Sequence, residues 1–266
     1  MRAPGALELS QVHPTTVIDP AASIGADVEI GPYNVIDAGV VIGDGTRIGS
    51  HNLITGRTTI GKSNRIFHFC SIGEANQDKK YKGEPTAVEI GDGNTIREYT
   101  SINRGTVQDV GTTRVGNNNW IMAYTHIAHD CQVGNETIFA NGATLAGHVH
   151  VGDWAVLGGH SAFHQFVKVG AHSMVGGGSI VLQDVVPYVT VGGSPIASHG
   201  INAEGLRRRG FSDTAIAVLK RAYRALFKSG FTVAEARAEL EKLAVEAPEV
   251  RLMIDFLDTA KRGILR

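Results

Sequence analysis

Ten isoleucines stand six residues apart in this chain, at positions 18, 24, 30, 36, 42, 48, 54, 60, 66 and 72. An α-helix repeats every 3.6 residues and a flat strand every two, so a period of six belongs to neither. It belongs to a triangular coil, a parallel β-helix in which three hexads close one turn and residues eighteen apart stack. Gly25, Gly31, Gly43, Gly49, Gly61 and Gly73 sit next to the apolar residue, where a turn needs something small. The ladder continues through Ile90, Ile96 and Ile102, breaks, and resumes as Val115, Ile121, Ile127, Val133, Phe139, Leu145, Val151, Leu157, Phe163, Val169, Val175 and Val181. All twenty-five rungs are apolar, the mark of an inward-facing row. They make roughly nine coils, a prism about 40 Å long at the spacing of neighbouring strands.

Residues 1–11 read as a short lead-in, and the coil domain with its connector covers 12–199. Two segments break the hexad rule, 73–89 with charged Asp78 and Glu84 on sixth-residue positions, and 103–114. Both must leave the prism as loops, and loops on a rigid scaffold are where binding groups tend to be carried. A Gly/Pro-rich connector is expected at 187–199, and the pattern turns helical over 200–266. There Ser212 can cap a helix that stops at Gly230, Thr232 with Glu235 forms a capping box, and Pro248 separates a last helix. The flat sides of such a prism suit closed cyclic association, a trimer above all.

Bulk properties narrow the function classes. With 266 residues, 19% charged, 42% apolar and a net charge of −1, the chain lacks the basic excess of a nucleic-acid binder. Cys70 and Cys131 make no disulfide framework and read as small buried residues in a reducing compartment. The start MRAPGALELS has no apolar core of a signal peptide, and no run of eighteen apolar residues occurs. A soluble cytoplasmic protein without an integral membrane segment is expected.

Seven histidines, at 126, 129, 148, 150, 160, 164 and 172, fall in the second ladder, none on an inward position. Stacking by eighteen sets Gly147 over His129 with His148 beside it, and Gln165 over Gly147 with His164 beside it. Two chemistries could use this polar column: zinc binding through neutral imidazoles, or general-base catalysis by one of them. Asp130 follows His129 directly and can orient its ring. No serine or cysteine nucleophile accompanies the histidines, which favours direct transfer between two bound substrates over a covalent intermediate.

The stretches SIGEANQDKKYKGEPT, HIAHDC, ATLAGHV, HQF and NAEGLRRRGF occur in this order on the hexapeptide coil and its helical tail. Together they closely resemble the UDP-N-acetylglucosamine 3-O-acyltransferases of the lipid A pathway. The resemblance implies a mostly β fold, a left-handed parallel β-helix followed by a C-terminal α-helical domain. It implies transfer of an (R)-3-hydroxyacyl group from acyl carrier protein to the 3-hydroxyl of UDP-N-acetylglucosamine, with no metal and no cofactor beyond the carrier's phosphopantetheine. By matching position, His129 resembles the general base, Asp130 its orienting partner and the Gly147 N–H the oxyanion donor. Gln77, Asp78, Lys80, His126, His148, His164 and Gln165 resemble sugar and acyl contacts, and Gly177 leaves room at the end of the acyl groove. Asn202, Glu204, Arg208 and Arg209 resemble the uridine and phosphate contacts, paired arginines suiting a pyrophosphate. The resemblance also implies a homotrimer with sites between subunits. Two rivals remain open: the N-acyltransferase of the same pathway, which has a domain ahead of its coil, and a γ-carbonic-anhydrase-like zinc enzyme using His160 and His164. A purely structural coil is a third.

Overall fold

The inward rungs and their outward neighbours explain the whole coil. Strands are mostly two residues long, and in Glu29–Ile30, Val35–Ile36 and Val41–Ile42 the first side chain is exposed while the second is buried. A strand sends successive side chains to opposite sides, so two residues suffice for one rung inside and one group outside. The computed structural model describes residues 11–260 and 263–266. Positions 1–10 of the expected lead-in lie outside the described residues, and Gln11–Val12 already pairs with Glu29–Ile30.

Three sheets of eleven, nine and eight strands form the faces of the prism, all parallel except the last strand of the first. The first face starts at Gln11–Val12, the second at Val17–Ile18 and the third at Ser23–Ile24. Register follows the eighteen-residue step, as in Glu29 against Arg47 and Ile30 against Ile48. Ile54, Ile72, Ile102, Ile127, Leu145 and Val181 line the second face and are fully buried. Stacked rungs remove each other from water, and side-chain burial of this kind contributes about 1.5–3 kcal/mol per residue.

Across the first loop the pairing step grows to 30, Ile66 facing Ile96, and across the second to 25, Ile96 facing Ile121. The coil therefore extrudes segments without losing register. The loops are shorter than the hexad breaks indicated. Strands Ser71–Glu74, Ala87–Ile90, Ser101–Asn103 and Thr112–Val115 reach into both segments, leaving 75–86 and 104–111 outside the ladder.

Inside the corner between the third and first faces runs a column of buried amides. Asn94 Oδ1 accepts from the Asn119 backbone N–H and from Asn119 Nδ2, both at 2.9 Å. Its own Nδ2 donates to Asn64 Oδ1 at 3.0 Å and to the Gly116 carbonyl at 2.9 Å. The column satisfies turn backbone that the apolar rungs cannot.

The 187–199 segment is more ordered than a connector. Val189–Gly192 joins the first face beside Met174–Val175, and Ala197–Ile201 folds back antiparallel on it. The alternating VPYVTV sequence extends the sheet before the chain reverses. Helices α1 (Ala203–Arg208), α2 (Asp213–Phe227), α3 (Val233–Glu246) and α4 (Arg251–Thr259) follow. Ser212 caps α2 and the Thr232–Glu235 capping box opens α3. Pro248–Val250 forms a single 3₁₀ turn ahead of α4. Helix α2 buries Leu219, Ala222 and Leu226, and its Tyr223 hydroxyl donates to Ser198 of the hairpin at 3.2 Å. The far end of α4 is tied to the third face, where Lys168 Nζ donates to the Thr259 carbonyl at 2.7 Å. The arrangement is a parallel β-helix followed by a helical tail, the expected fold class.

Replacing Asn94 with Ala strands buried donors and acceptors in two neighbouring coils. Chemical denaturation should show a loss of about 2–4 kcal/mol; a loss under about 0.5 kcal/mol would remove the amide column from the account of stability.

Candidate active site

The corner between the second and third faces is built from turn residues one coil apart. Asp130, His148 and Phe166 hold φ values of 58°, 63° and 66°, the left-handed region that non-glycine residues rarely occupy. The residues ahead of them are His129, Gly147 and Gln165, and the coils are joined by His148 N–H to the His129 carbonyl at 3.0 Å and Phe166 N–H to the Gly147 carbonyl at 3.2 Å. The vertical order read from the sequence is thus the order in space.

His129 is 7% exposed and Asp130 is fully buried. The Nδ1 of His129 lies 3.0 Å from Asp130 Oδ2. Thr106, on the second loop, donates to the same carboxylate through its N–H at 2.9 and 3.0 Å and its hydroxyl at 2.7 Å. Burial pushes the Asp130 carboxyl up, but the hydrogen bonds from His129 and Thr106 outweigh it and leave the group below its ordinary value. An ionised carboxylate at Nδ1 fixes the proton there and turns Nε2 into the acceptor. On the other side of the ring a Cβ at position 147 would fall 2.6 Å from Nε2, so only glycine lets the next coil come this close. The Gly147 N–H has no partner among the described residues. His148 stands edge-on to His129 with ring centres 4.8 Å apart and stacks on Phe166 at 4.3 Å.

A cavity of about 620 Å³ opens at this corner under the two loops. His129, His148, Gln165, Asp78 and Lys80 line it together, joined by His150 and by five residues that sequence analysis does not single out: Thr106, Gln108, Asp109, Phe166 and Lys168. Three of those five sit on the second loop, a segment flagged by its broken period. Within the first loop Asp78 Oδ1 accepts the Lys80 N–H at 2.9 Å, which shapes the turn.

The remaining predicted residues do not line the cavity. His126 faces outward from the second face, with Nδ1 2.7 Å from Ser101 Oγ. Burial, and then the nearby His129, holds its pKa below the ordinary histidine value. His164 Nδ1 lies 3.1 Å from the Gln165 carbonyl, and Gln77 is exposed on its loop. Gly177 is exposed at the corner between the first and second faces, where the strand Met174–Val175 gives way to Ile180–Val181. The four tail residues gather at the third corner. Asn202 caps α1 through Gly205 N–H and donates to the His172 carbonyl. Arg208 pairs with Glu204 at 3.2 Å on the surface. Arg209 lies over the Trp154 ring at 5.3 Å, with a guanidinium nitrogen 3.3 Å from His172 Nδ1. His172 is held down to about 4 by burial and then by that guanidinium, so it is neutral near pH 7 and accepts from the arginine.

Potential metal-ligating atoms come together at one place among the described residues, His129, Asp130 and His148, all within 4.8 Å. His160 and His164 are not part of it. Asp130 Oδ2 already accepts from His129 and Thr106, and the Nδ1 of His148 is 2.6 Å from Asp109 Oδ2.

The site can be set beside known proteins. The family profile "Udp N-acetylglucosamine O-acyltransferase; Domain 2" matches residues 184–265, and the profile for bacterial transferase hexapeptide repeats matches 21–56 and 112–147. An acyl-[acyl-carrier-protein]–UDP-N-acetylglucosamine O-acyltransferase from Thiobacillus denitrificans is 61% identical over 97% of this chain and 100% of its own length. The chain belongs to the UDP-N-acetylglucosamine O-acyltransferase family. The correspondingly named protein of Burkholderia lata is 56% identical, again over 97% of this chain and 100% of its own length. The solved structure of LpxA from Acinetobacter baumannii superposes with a TM-score of 0.94 at 49% identity, covering 96% of this chain and 99% of that one. The chain is accordingly a left-handed β-helix acyltransferase, and these matches support neither the N-acyltransferase nor the carbonic-anhydrase-like rival.

Proposed function

We propose that this protein transfers an (R)-3-hydroxyacyl group from the phosphopantetheine thioester of acyl carrier protein to the 3-hydroxyl of UDP-N-acetylglucosamine. The observation that carries the mechanism is the buried His129–Asp130 pair beneath the Gly147 backbone. His129 Nε2 takes the proton of the sugar hydroxyl as its oxygen bonds to the thioester carbon. The carbonyl oxygen becomes an oxyanion and accepts from the Gly147 N–H. When the tetrahedral intermediate collapses, the carbon–sulfur bond breaks and the thiol leaves with the proton from the imidazolium. Asp130 stays ionised throughout and favours the imidazolium, while burial strengthens each of these interactions. Lys80 brings a positive charge to the cavity mouth, suited to a phosphate-bearing substrate.

Arg208, Arg209 and Gly177 sit on corners other than that of His129, which supports a homotrimer whose neighbouring copies complete each site. The reaction as drawn needs no metal, since its charges are met by an imidazole, a carboxylate and a peptide N–H. No helix among the described residues is long and apolar enough to cross a membrane, which fits the cytoplasm, where acyl carrier protein is found.

His129→Ala should lower turnover by at least about a hundredfold, the range of general-base removal, with nucleotide binding retained. Arg209→Ala should instead weaken nucleotide binding. Coassembly of the two variants should restore activity in about a quarter of the sites if each site draws on two copies. Full turnover by His129→Ala would remove the base assignment, and absence of complementation would place both residues in one chain's site. Purified protein should hold well under one zinc per chain and keep its activity in chelator. Loss of activity there would bring back the metal reading.

A further inference from the structure

Among the polar contacts of the cavity that the proposed reaction does not use is one between His148 and the second loop. Its Nδ1 lies 2.6 Å from Asp109 Oδ2 and 3.9 Å from Asp130 Oδ2. Two carboxylates therefore compete for one imidazole N–H, and the loop carboxylate holds it. Asp130 Oδ2 is the atom that orients His129 at 3.0 Å. The His148 ring also stacks on Phe166, centres 4.3 Å apart and nearly parallel, which opposes a flip about χ2.

We propose that Asp109 is a positioning residue that assigns the two imidazoles to separate carboxylates, His148 to itself and His129 to Asp130. This rests on the reading of His129 as the base. With Nδ1–H given to Asp109, the Nε2 of His148, which has no partner among the described residues, is the ring nitrogen left for a substrate in the cavity it lines. Without Asp109 the free Nδ1–H turns to the nearest remaining carboxylate, Asp130. That oxygen then serves two imidazoles, and its grip on His129 weakens. Asp109 lies on the 104–111 segment, as does Thr106, so the same extruded loop clamps Asp130 on one side and draws His148 away on the other. A partner one shell removed from the reacting group commonly changes activity about 10–100-fold when removed.

The test uses the full-length protein and two independent readouts. Ring ¹⁵N spectra should show His148 as the Nδ1–H tautomer in the wild type and a shifted or mixed state in Asp109→Ala. Steady-state transfer should fall about tenfold or more in kcat for Asp109→Ala, fall less for the isosteric Asp109→Asn, and return towards wild type in Asp109→Glu. In a His148→Ala background, Asp109→Ala should add less than about a twofold further loss, because the two act as one unit. An Nε2–H tautomer in the wild type overturns the proposal. So does an unchanged kcat in both the Ala and Asn variants, or an equal loss in the His148→Ala background, which would mean that Asp109 only holds its loop. If the wild type transfers no acyl group to UDP-N-acetylglucosamine, the functional reading falls, and the tautomer spectra still decide the role of Asp109.

Discussion

The hydrogen-bonded step from one coil to the next is the constraint on which the rest of the molecule depends. Backbone N–H groups beside the rungs donate to rung carbonyls one coil away, as Ala128 does to Leu145 and Ala146 to Phe163. The step is eighteen residues, so it fixes which side chain lies over which. Apolar rungs then fall on apolar rungs, and the left-handed turn residues fall in columns at the corners. A catalytic group here is placed by the same bonds that hold the fold, so its position is as rigid as the sheet beneath it. That rigidity is what a general base and an oxyanion donor require of their scaffold.

The corner that holds the site departs from what stability alone would choose. Asp130 and His148 occupy backbone conformations that glycine or asparagine would take with less strain, and Asp130 puts a carboxylate in a fully buried place. Three donors from Thr106 and His129 offset that cost. The donors from Thr106 come from outside the ladder, so the loop is as much a part of the site as the coil.

Much of this was legible in the sequence because the coil converts counting into geometry. The twenty-five rungs, the stacking of Gly147 on His129 and the partnership with Asp130 all follow from position numbers. The extruded segments resist the same treatment. Once a residue leaves the ladder it has no register, so Thr106 and Asp109 could be flagged only as members of a suspicious loop. The hairpin at 189–201 reads in sequence as a connector because its glycines and proline mask a short alternating run. The different corner of Gly177 follows from the same counting, because it does not stand a whole number of eighteen-residue steps from His129, whereas Arg208 and Arg209 lie beyond the coil, where that register no longer applies.

The central claim is that the 3-hydroxyl of the sugar meets His129 Nε2 beneath the Gly147 N–H. A crystal structure of the protein with UDP-N-acetylglucosamine tests it most directly. The account predicts the sugar O3 at about 3 Å from Nε2, with the nucleotide leading away towards an arginine-bearing corner. A sugar bound with O3 remote from that imidazole, or an Nε2 engaged by another protein group, would contradict it.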